Sequence, residues 1–233
     1  MIRIVGLSGS PRHGNTEVLV QEALAAASEA PVEVSTHYVS LAGRKIEPCV
    51  DCQVCASQAR PCIKQDDWAA TINEILDPIP DGLIAGSPVY FCGETSLLRA
   101  LFERCTSLLK GIWIEGFPTA PPDLSRTAAA AIAVGYHRHG GVEHTLDSLL
   151  HWLMIMGCAC TGVDYIGGGA WQRVDGLDTV RNDPIGMRNA RAAGRRVAYL
   201  ANLLWTGRAG VGEGLIDWLK YRNLEEPHGA NPN

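Results

Sequence analysis

The run IRIVGLSGSPRHGNT, residues 2–16, joins a short apolar segment to a helical one through a loop of glycine, serine and proline. Ile2 to Leu7 is almost wholly apolar, as a strand buried on both faces would be. From about Thr16 to Glu29, Val18, Leu19, Ala23 and Ala26 fall on a 3.6-residue stripe, which predicts a helix packed back onto that strand. The loop between them, Ser8 to Asn15, precedes backbone N–H groups that have no intrahelical acceptor, so it is a place for an anion. The hydroxyls of Ser10 and Thr16 can donate there, and Arg12 adds a charged fork. The same residues would equally satisfy an N-capped turn with no ligand at all. Gly9 and Gly14 have the spacing of a Walker A loop, but Asn15 stands where that loop needs lysine, and no GxGxxG follows. Nucleoside triphosphate hydrolysis is therefore disfavoured, and without the dinucleotide fingerprint this loop fits a single terminal phosphate, of the kind FMN carries.

The remaining chain repeats the alternation of strand and helix. Val32, Val34, Thr36 and Tyr38 alternate with polar neighbours, as in a strand near a sheet edge. Asp66 and Asp67 precede a helix over Trp68 to Leu76, where a helix N-terminus favours acidic groups. Further strands are expected at Leu83 to Ser87, Ala128 to Val134 and Cys158 to Val163, and helices at about Ser96–Leu109, Val142–Met156 and Ile185–Leu204. This order defines an α/β fold, a doubly wound parallel sheet of five strands with ligands held outside the carboxyl ends at a switch in strand order. The loops to watch are Ser8 to Asn15, Pro88 to Thr95 and Gly135 to Gly141. Gly111 to Pro122 reads as a Pro-rich insertion. We expect one domain over residues 1–207, with a cysteine-bearing insertion at 45–66 after the second strand, and a separate tail over 208–233.

Bulk properties narrow the partners. A charged fraction of 19% and a net charge of −5 lack the basic excess that nucleic-acid phosphates require. No export signal and no apolar run of membrane-spanning length is visible, so a cytoplasmic protein without membrane partners is expected.

Eight cysteines in such a chain point to metal or redox chemistry rather than structural disulfides. Four crowd together as Cys49-x2-Cys52-x2-Cys55-x6-Cys62. Three closely spaced thiolates and one offset suit a [4Fe–4S] cubane better than paired zinc-ribbon spacing. Structural zinc, or thiols without metal, are the other readings of the same four residues. Cys105, Cys158 and Cys160 lie in apolar segments and read as small buried hydrophobes. Cys92 is either another of these or a thiol on the substrate side. Pro88, Val89, Tyr90 and Phe91 form a stiff turn with flat side chains, suited to a planar heterocycle or to capping the core. In Gly135 to Gly141 the glycines permit close backbone approach, and His137 or His139 can donate to a ligand or simply face water.

The three motifs GSPRHGNT (9–16), SPVYFCG (87–93) and VGYHRHGG (134–141) together resemble the NADPH-dependent FMN reductase group of the flavodoxin-like superfamily. The resemblance implies a strand order of 2-1-3-4-5. It implies that Ser10, Arg12, Asn15 and Thr16 hold the FMN phosphate, and that Pro88, Val89, Tyr90, Phe91 and Gly93 run beside the ribityl chain and isoalloxazine. Gly135, His139, Gly140 and Gly141 would approach the other edge of the ring. The cysteine segment, followed by Gln65-Asp66-Asp67, is similar to the compact motif of the iron-sulfur flavoproteins, which implies [4Fe–4S] on Cys49, Cys52, Cys55 and Cys62. It implies further an oligomer, a homodimer or homotetramer, that passes electrons from NAD(P)H or a ferredoxin-type donor to a small-molecule acceptor. Trp113, Trp205 and Trp218 lie outside the five-stranded core and are expected at subunit contacts. A cluster-free NAD(P)H-dependent FMN or quinone reductase, and a non-enzymatic electron carrier, are the alternatives. No general acid or base is placed by the sequence, and Cys92 and His139 are the side chains nearest to a catalytic role.

Overall fold

The structure, a computed structural model, describes residues 1–113, 121–136, 140–161, 168–169, 179–207 and 210. Its sheet is built from β1 (Ile2–Ser8), β2 (Val34–Ser40), β3 (Gly82–Pro88), β4 (Ala128–Gly135), β5 (Ala159–Cys160) and β6 (Gly168–Gly169). All pairings are parallel and the order is β2-β1-β3-β4-β5, with β6 also on β4. The doubly wound fold and its 2-1-3-4-5 order are as the sequence predicts. The fifth position differs in detail: Ala159–Cys160 pairs with the start of β4 and Gly168–Gly169 with its end. Most of the segment between those two pieces lies outside the described residues.

The helices cover both faces. On one face lie α1 (Asn15–Ser28) and α7 (Pro184–Gly207), which share a core with Ile4, Ile84, Ala130 and Ile132. On the other face α3 (Trp68–Leu76), α4 (Ser96–Arg104), α5 (Thr106–Trp113) and α6 (Val142–Ile155) pack on Val5, Leu7, Leu83, Ala85 and Ala131. Successive strand residues thus serve opposite cores, as a pleated strand requires. Next to the central strand, β4 reads AAAAIAVG and is buried throughout, its small side chains letting helices approach closely from both sides. The closest approach is at Gly194 of α7, where an added Cβ would lie 1.9 Å from the carbonyl oxygen of Ala23 in α1.

Two expectations need correction. The helix anticipated over Ser96–Leu109 is two helices, meeting at Cys105. The carbonyl of Leu101 accepts from the Trp68 indole (3.0 Å) and from the Cys105 thiol (3.4 Å). The Cys105 backbone N–H turns instead to Phe102 O at 3.0 Å, which tightens the turn and ends α4. The expected insertion over 111–122 also begins later, because residues 111–113 close α5; residues 114–120 lie outside the described residues.

Candidate functional site

The loops after β1, β3 and β4 meet at the carboxyl end of the sheet, where β1 separates β2 from β3. They are tied by specific bonds. Gly9 N–H donates to Gly86 O at 2.7 Å, and Val89 N–H donates to Val134 O at 2.9 Å. Thr95 Oγ1 donates to Gly9 O at 2.6 Å while accepting the Leu98 N–H at 3.1 Å as the cap of α4. The hydroxyl of Ser87 accepts the Thr95 N–H at 3.2 Å. One threonine therefore fixes the loop after β1 to the start of α4. Pattern reading passes over it, although a threonine directly before an apolar-periodic run is a capping signal.

At the start of α1 the first i to i−4 bond runs from Val18 N–H to Gly14 O at 3.1 Å, so earlier N–H groups have no acceptor in the helix. Gly14, the N-cap, has no side chain to satisfy them. That leaves a cradle of donors at the positive end of the helix dipole, and the chemistry suits a phosphate. Thr16 is buried beside it, and Arg12 is exposed, its guanidinium making no ion pair among the described residues. The other two expected phosphate residues are engaged within the protein. Ser10 Oγ donates to Arg12 O (2.6 Å) and accepts the Arg12 N–H (3.2 Å). The Asn15 amide faces the 3-10 turn Thr179–Asn182, accepting the Val180 N–H at 3.0 Å and donating to Thr179 Oγ1 at 3.4 Å.

Beyond the phosphate cradle, Tyr90 and Gly93 exchange backbone hydrogen bonds of 2.8 and 3.2 Å around Phe91 and Cys92. Both central residues have positive φ, 49° and 68°, in a turn normally built from Asn and Gly. Strain of this kind, about 1–3 kcal/mol per residue, concentrates at ligand clamps. Phe91 is wholly exposed at its tip, Tyr90 and Cys92 are exposed, and Pro88 and Val89 lie half-buried below. Cys92 is thus no buried hydrophobe, whereas Cys105 and Cys158 are buried in the core. Gly141, at φ 110°, leans on this turn: a Cβ there would lie 2.7 Å from Cys92 Cα and 2.9 Å from Val89 Cγ1. Gly140 has positive φ beside it, Gly135 ends β4, and Tyr136 is half exposed. His137 and His139 lie outside the described residues.

The cysteine segment leaves β2 and returns to α3 through a closed neck. Asp67 N–H donates to Lys45 O at 3.0 Å, while Asp67 accepts the Lys45 N–H at 2.7 Å and Asp66 accepts the Glu47 N–H at 2.9 Å. Lys64 pairs with Glu47 at 2.9 Å. Beyond the neck, Asp51, Gln53 and Ala59 have positive φ, and the only helix is the short α2 (Val54–Ser57). Cys49 and Cys52 are exposed; Cys55 and Cys62 are half-buried. Arg104, the last residue of α4, lies beneath with its side chain fully buried. It bonds Asp66 Oδ2 at 2.5 Å, Glu47 O at 3.2 Å and Cys62 Sγ at 3.3 Å, and its guanidinium lies 5.1 Å from the Trp68 ring centre. Burial alone would raise the Asp66 carboxyl, but the bonds from Arg104 and from the Glu47 and Trp68 N–H groups hold it below the usual carboxylate range.

Four thiols on one segment are the right chemistry for a [4Fe–4S] cluster. The Nη2 of Arg104 is buried without a hydrogen-bond partner, a cationic donor that an anionic sulfur group would satisfy. Among the described residues, however, no three His, Cys, Asp or Glu side chains are gathered into a metal-holding group.

A 2-1-3-4-5 doubly wound sheet with an anion cradle at its first helix and a strained aromatic turn after its third strand defines a flavodoxin-like flavoprotein. Comparison with known proteins makes this specific. The chain belongs to the NADPH-dependent FMN reductase family, whose pattern matches residues 2–172, and is an FMN-dependent oxidoreductase of the iron-sulfur flavoprotein branch. It is 34% identical over 211 residues to an iron-sulfur flavoprotein of Methanocaldococcus jannaschii, covering 87% of this chain and 99% of that one. It is 30% identical to the iron-sulfur flavoprotein of Methanosarcina thermophila, covering 89% and 99%. Among solved structures, RosB with a bound 8-demethyl-8-formylriboflavin-5′-phosphate superposes with a TM-score of 0.63 at 15% identity, covering 100% of this chain and 92% of that one, a likeness of fold.

Proposed function

We propose that this chain carries two redox centres, FMN at the carboxyl end of the sheet and [4Fe–4S] on Cys49, Cys52, Cys55 and Cys62, and passes electrons from NAD(P)H or a ferredoxin-type donor to a small acceptor. The observation that carries the flavin half is the start of α1, where free N–H groups behind a side-chain-free cap lie in a loop bound to β3 and α4. Arg12 supplies a charged donor to the phosphate, and the Thr16 hydroxyl closes the cradle from inside. The Asn15 amide supports the cradle by holding the 3-10 turn against α1, so this residue meets phosphate through its backbone. Tyr90, Phe91 and Gly93 flank the ring, and the Phe91 and Cys92 N–H groups, which make no hydrogen bond among the described residues, are donors for its polar edge. Gly140, with open space where a Cβ would stand, leaves room for the other edge of the ring, and Gly141 braces the turn that carries Phe91 and Cys92. Bound FMN supplies hydride and single-electron chemistry, and the protein supplies orientation and electrostatics. Catalysis then needs no strong general acid or base from the chain.

A second reading keeps FMN and leaves the four cysteines as free thiols. It is favoured by the exposure of Cys49 and Cys52 and by the lack of a gathered ligand set among the described residues. We also propose a homodimer or homotetramer in a reducing cytoplasm. Supporting this, Trp205, Leu203 and Tyr199 of α7 and Ile155 of α6 are exposed apolar residues, and none of the eight cysteines forms a disulfide. Residues 211–233, with Trp218, lie outside the described residues, as does any role of that tail.

The test of the flavin half is the cofactor released on denaturation, with its affinity in Arg12→Ala. FMN is expected, bound more weakly in the variant by about 1.5–3 kcal/mol, the worth of a hydrogen bond to a charged group. Recovery of FAD, or undiminished FMN affinity in the variant, contradicts the assignment of this loop.

A further inference from the structure

Arg104, at the end of α4, lies buried beneath the cysteine segment and has no part in the function above. An arginine whose side chain is fully buried is rare unless its donors are used, because a buried cationic N–H without an acceptor forfeits its hydration. Three of its contacts are accounted for: Asp66 and the Glu47 carbonyl take Nη1, and Cys62 Sγ takes Nε. Nη2 has no partner. In a guanidinium, Nε–H and one Nη2–H lie along the same edge, so the orphaned donor points to the side on which Nε already meets Cys62. Trp68 lies against the guanidinium, and Asp66 is itself held by the Glu47 and Trp68 N–H groups. The fork is therefore fixed in place, with one prong on a cysteine sulfur and the other waiting beside it.

We infer that Arg104 is a positioning residue for the cysteine centre, which holds Cys62 and presents Nη2 to a second sulfur of the bound cluster, raising the potential of that cluster. This rests on the [4Fe–4S] reading given above. Hydrogen bonds to cluster sulfurs and a nearby positive charge stabilise the reduced, more negative state, which is one of the protein's levers on potential. The neck explains why the lever is buried: the same guanidinium grips Glu47 before the cysteines and Asp66 after them, so ligand geometry and electrostatics are set by one group.

The experiment uses full-length protein reconstituted anaerobically, with iron and sulfide measured first and the cluster potential then followed by its paramagnetic signal. Arg104→Lys keeps the charge but loses the fork; Asp66→Asn with Arg104→Met removes the pair together and leaves no lone buried charge. With cluster and FMN still loaded, both are expected to have a lower potential, the double variant by at least tenfold in the equilibrium constant, about 59 mV for one electron. Wild-type protein labelled with 15N-arginine gives a second readout that needs no change at Arg104. Its reduced cluster should show a guanidinium nitrogen coupling that persists in Arg60→Lys, which alters an exposed arginine of the same segment. A wild-type protein that takes up no cluster overturns both this inference and the reading beneath it. A loaded cluster whose potential is the same in the variants, or which shows no arginine coupling, overturns the role of Arg104 alone.

Discussion

Thr95 joins two loops of the proposed flavin site that no sequence motif connects. Its hydroxyl caps α4 and holds the Gly9 carbonyl, so Thr95→Ala removes a cap and a buried hydrogen bond together. A loss of about 1–3 kcal/mol in stability, with weaker FMN binding, is expected by denaturant titration and flavin titration, and Thr95→Ser should restore both. An unchanged FMN affinity in the alanine variant would mean that the loop keeps its shape without this tie. The cysteines offer a second check. Burial pushes the thiols of Cys105 and Cys158 up to about 12, so at pH 8 on the order of one in ten thousand is thiolate. In the folded protein their alkylation should lag far behind that of Cys49, Cys52 and Cys92, which are exposed and should react readily in metal-free protein. Mass spectrometry of alkylated peptides reads this directly, and early labelling of Cys105 would contradict its place in the core. Arg104 had no signal in the sequence, because a basic residue in the last turn of an amphipathic helix ordinarily faces water. Only the packing of α4 against α3 turns it inward.

Most secondary elements were legible because their periodicities are strong. Ile2 to Leu7 and Ala128 to Val134 are apolar runs of strand length, and Trp68 to Leu76 begins at its expected residue. The division of α4 from α5 was not, since it follows from a tertiary contact, the Trp68 indole taking the Leu101 carbonyl. Nor was the crossing of α1 and α7, which depends on two small residues far apart in sequence. Gly194→Ala tests that crossing. Alanine gains about 1 kcal/mol of helix propensity, but its Cβ would meet the Ala23 backbone at 1.9 Å. Backbone cannot step aside as a flexible side chain can, and overpacking of this kind costs about 1–3 kcal/mol or more. We expect a net loss of stability and a lower Tm by calorimetry; a higher Tm would show that the helices separate easily.

Across the whole molecule, the doubly wound topology gathers at one end three loops that are distant in sequence, and the uncapped helix start among them was legible from residues 9–16. The duties of its members were less so. Ser10 and Asn15 read as phosphate ligands by type and place, yet their side chains are occupied within the protein, one inside the loop and the other on the turn before α7. The cysteine segment was legible as four neighbouring thiols but not as a geometry, because its neck is built from Lys45, Glu47, Asp66, Asp67 and Arg104 rather than from the cysteines. The central claim is that one chain holds both FMN and a [4Fe–4S] cluster, and an anaerobic reductive titration of the purified protein tests it most directly. About three electrons per chain are expected, two taken by the flavin and one by the cluster. Saturation at about two electrons, with FMN fully loaded and no reducible paramagnetic centre, would contradict the two-centre account.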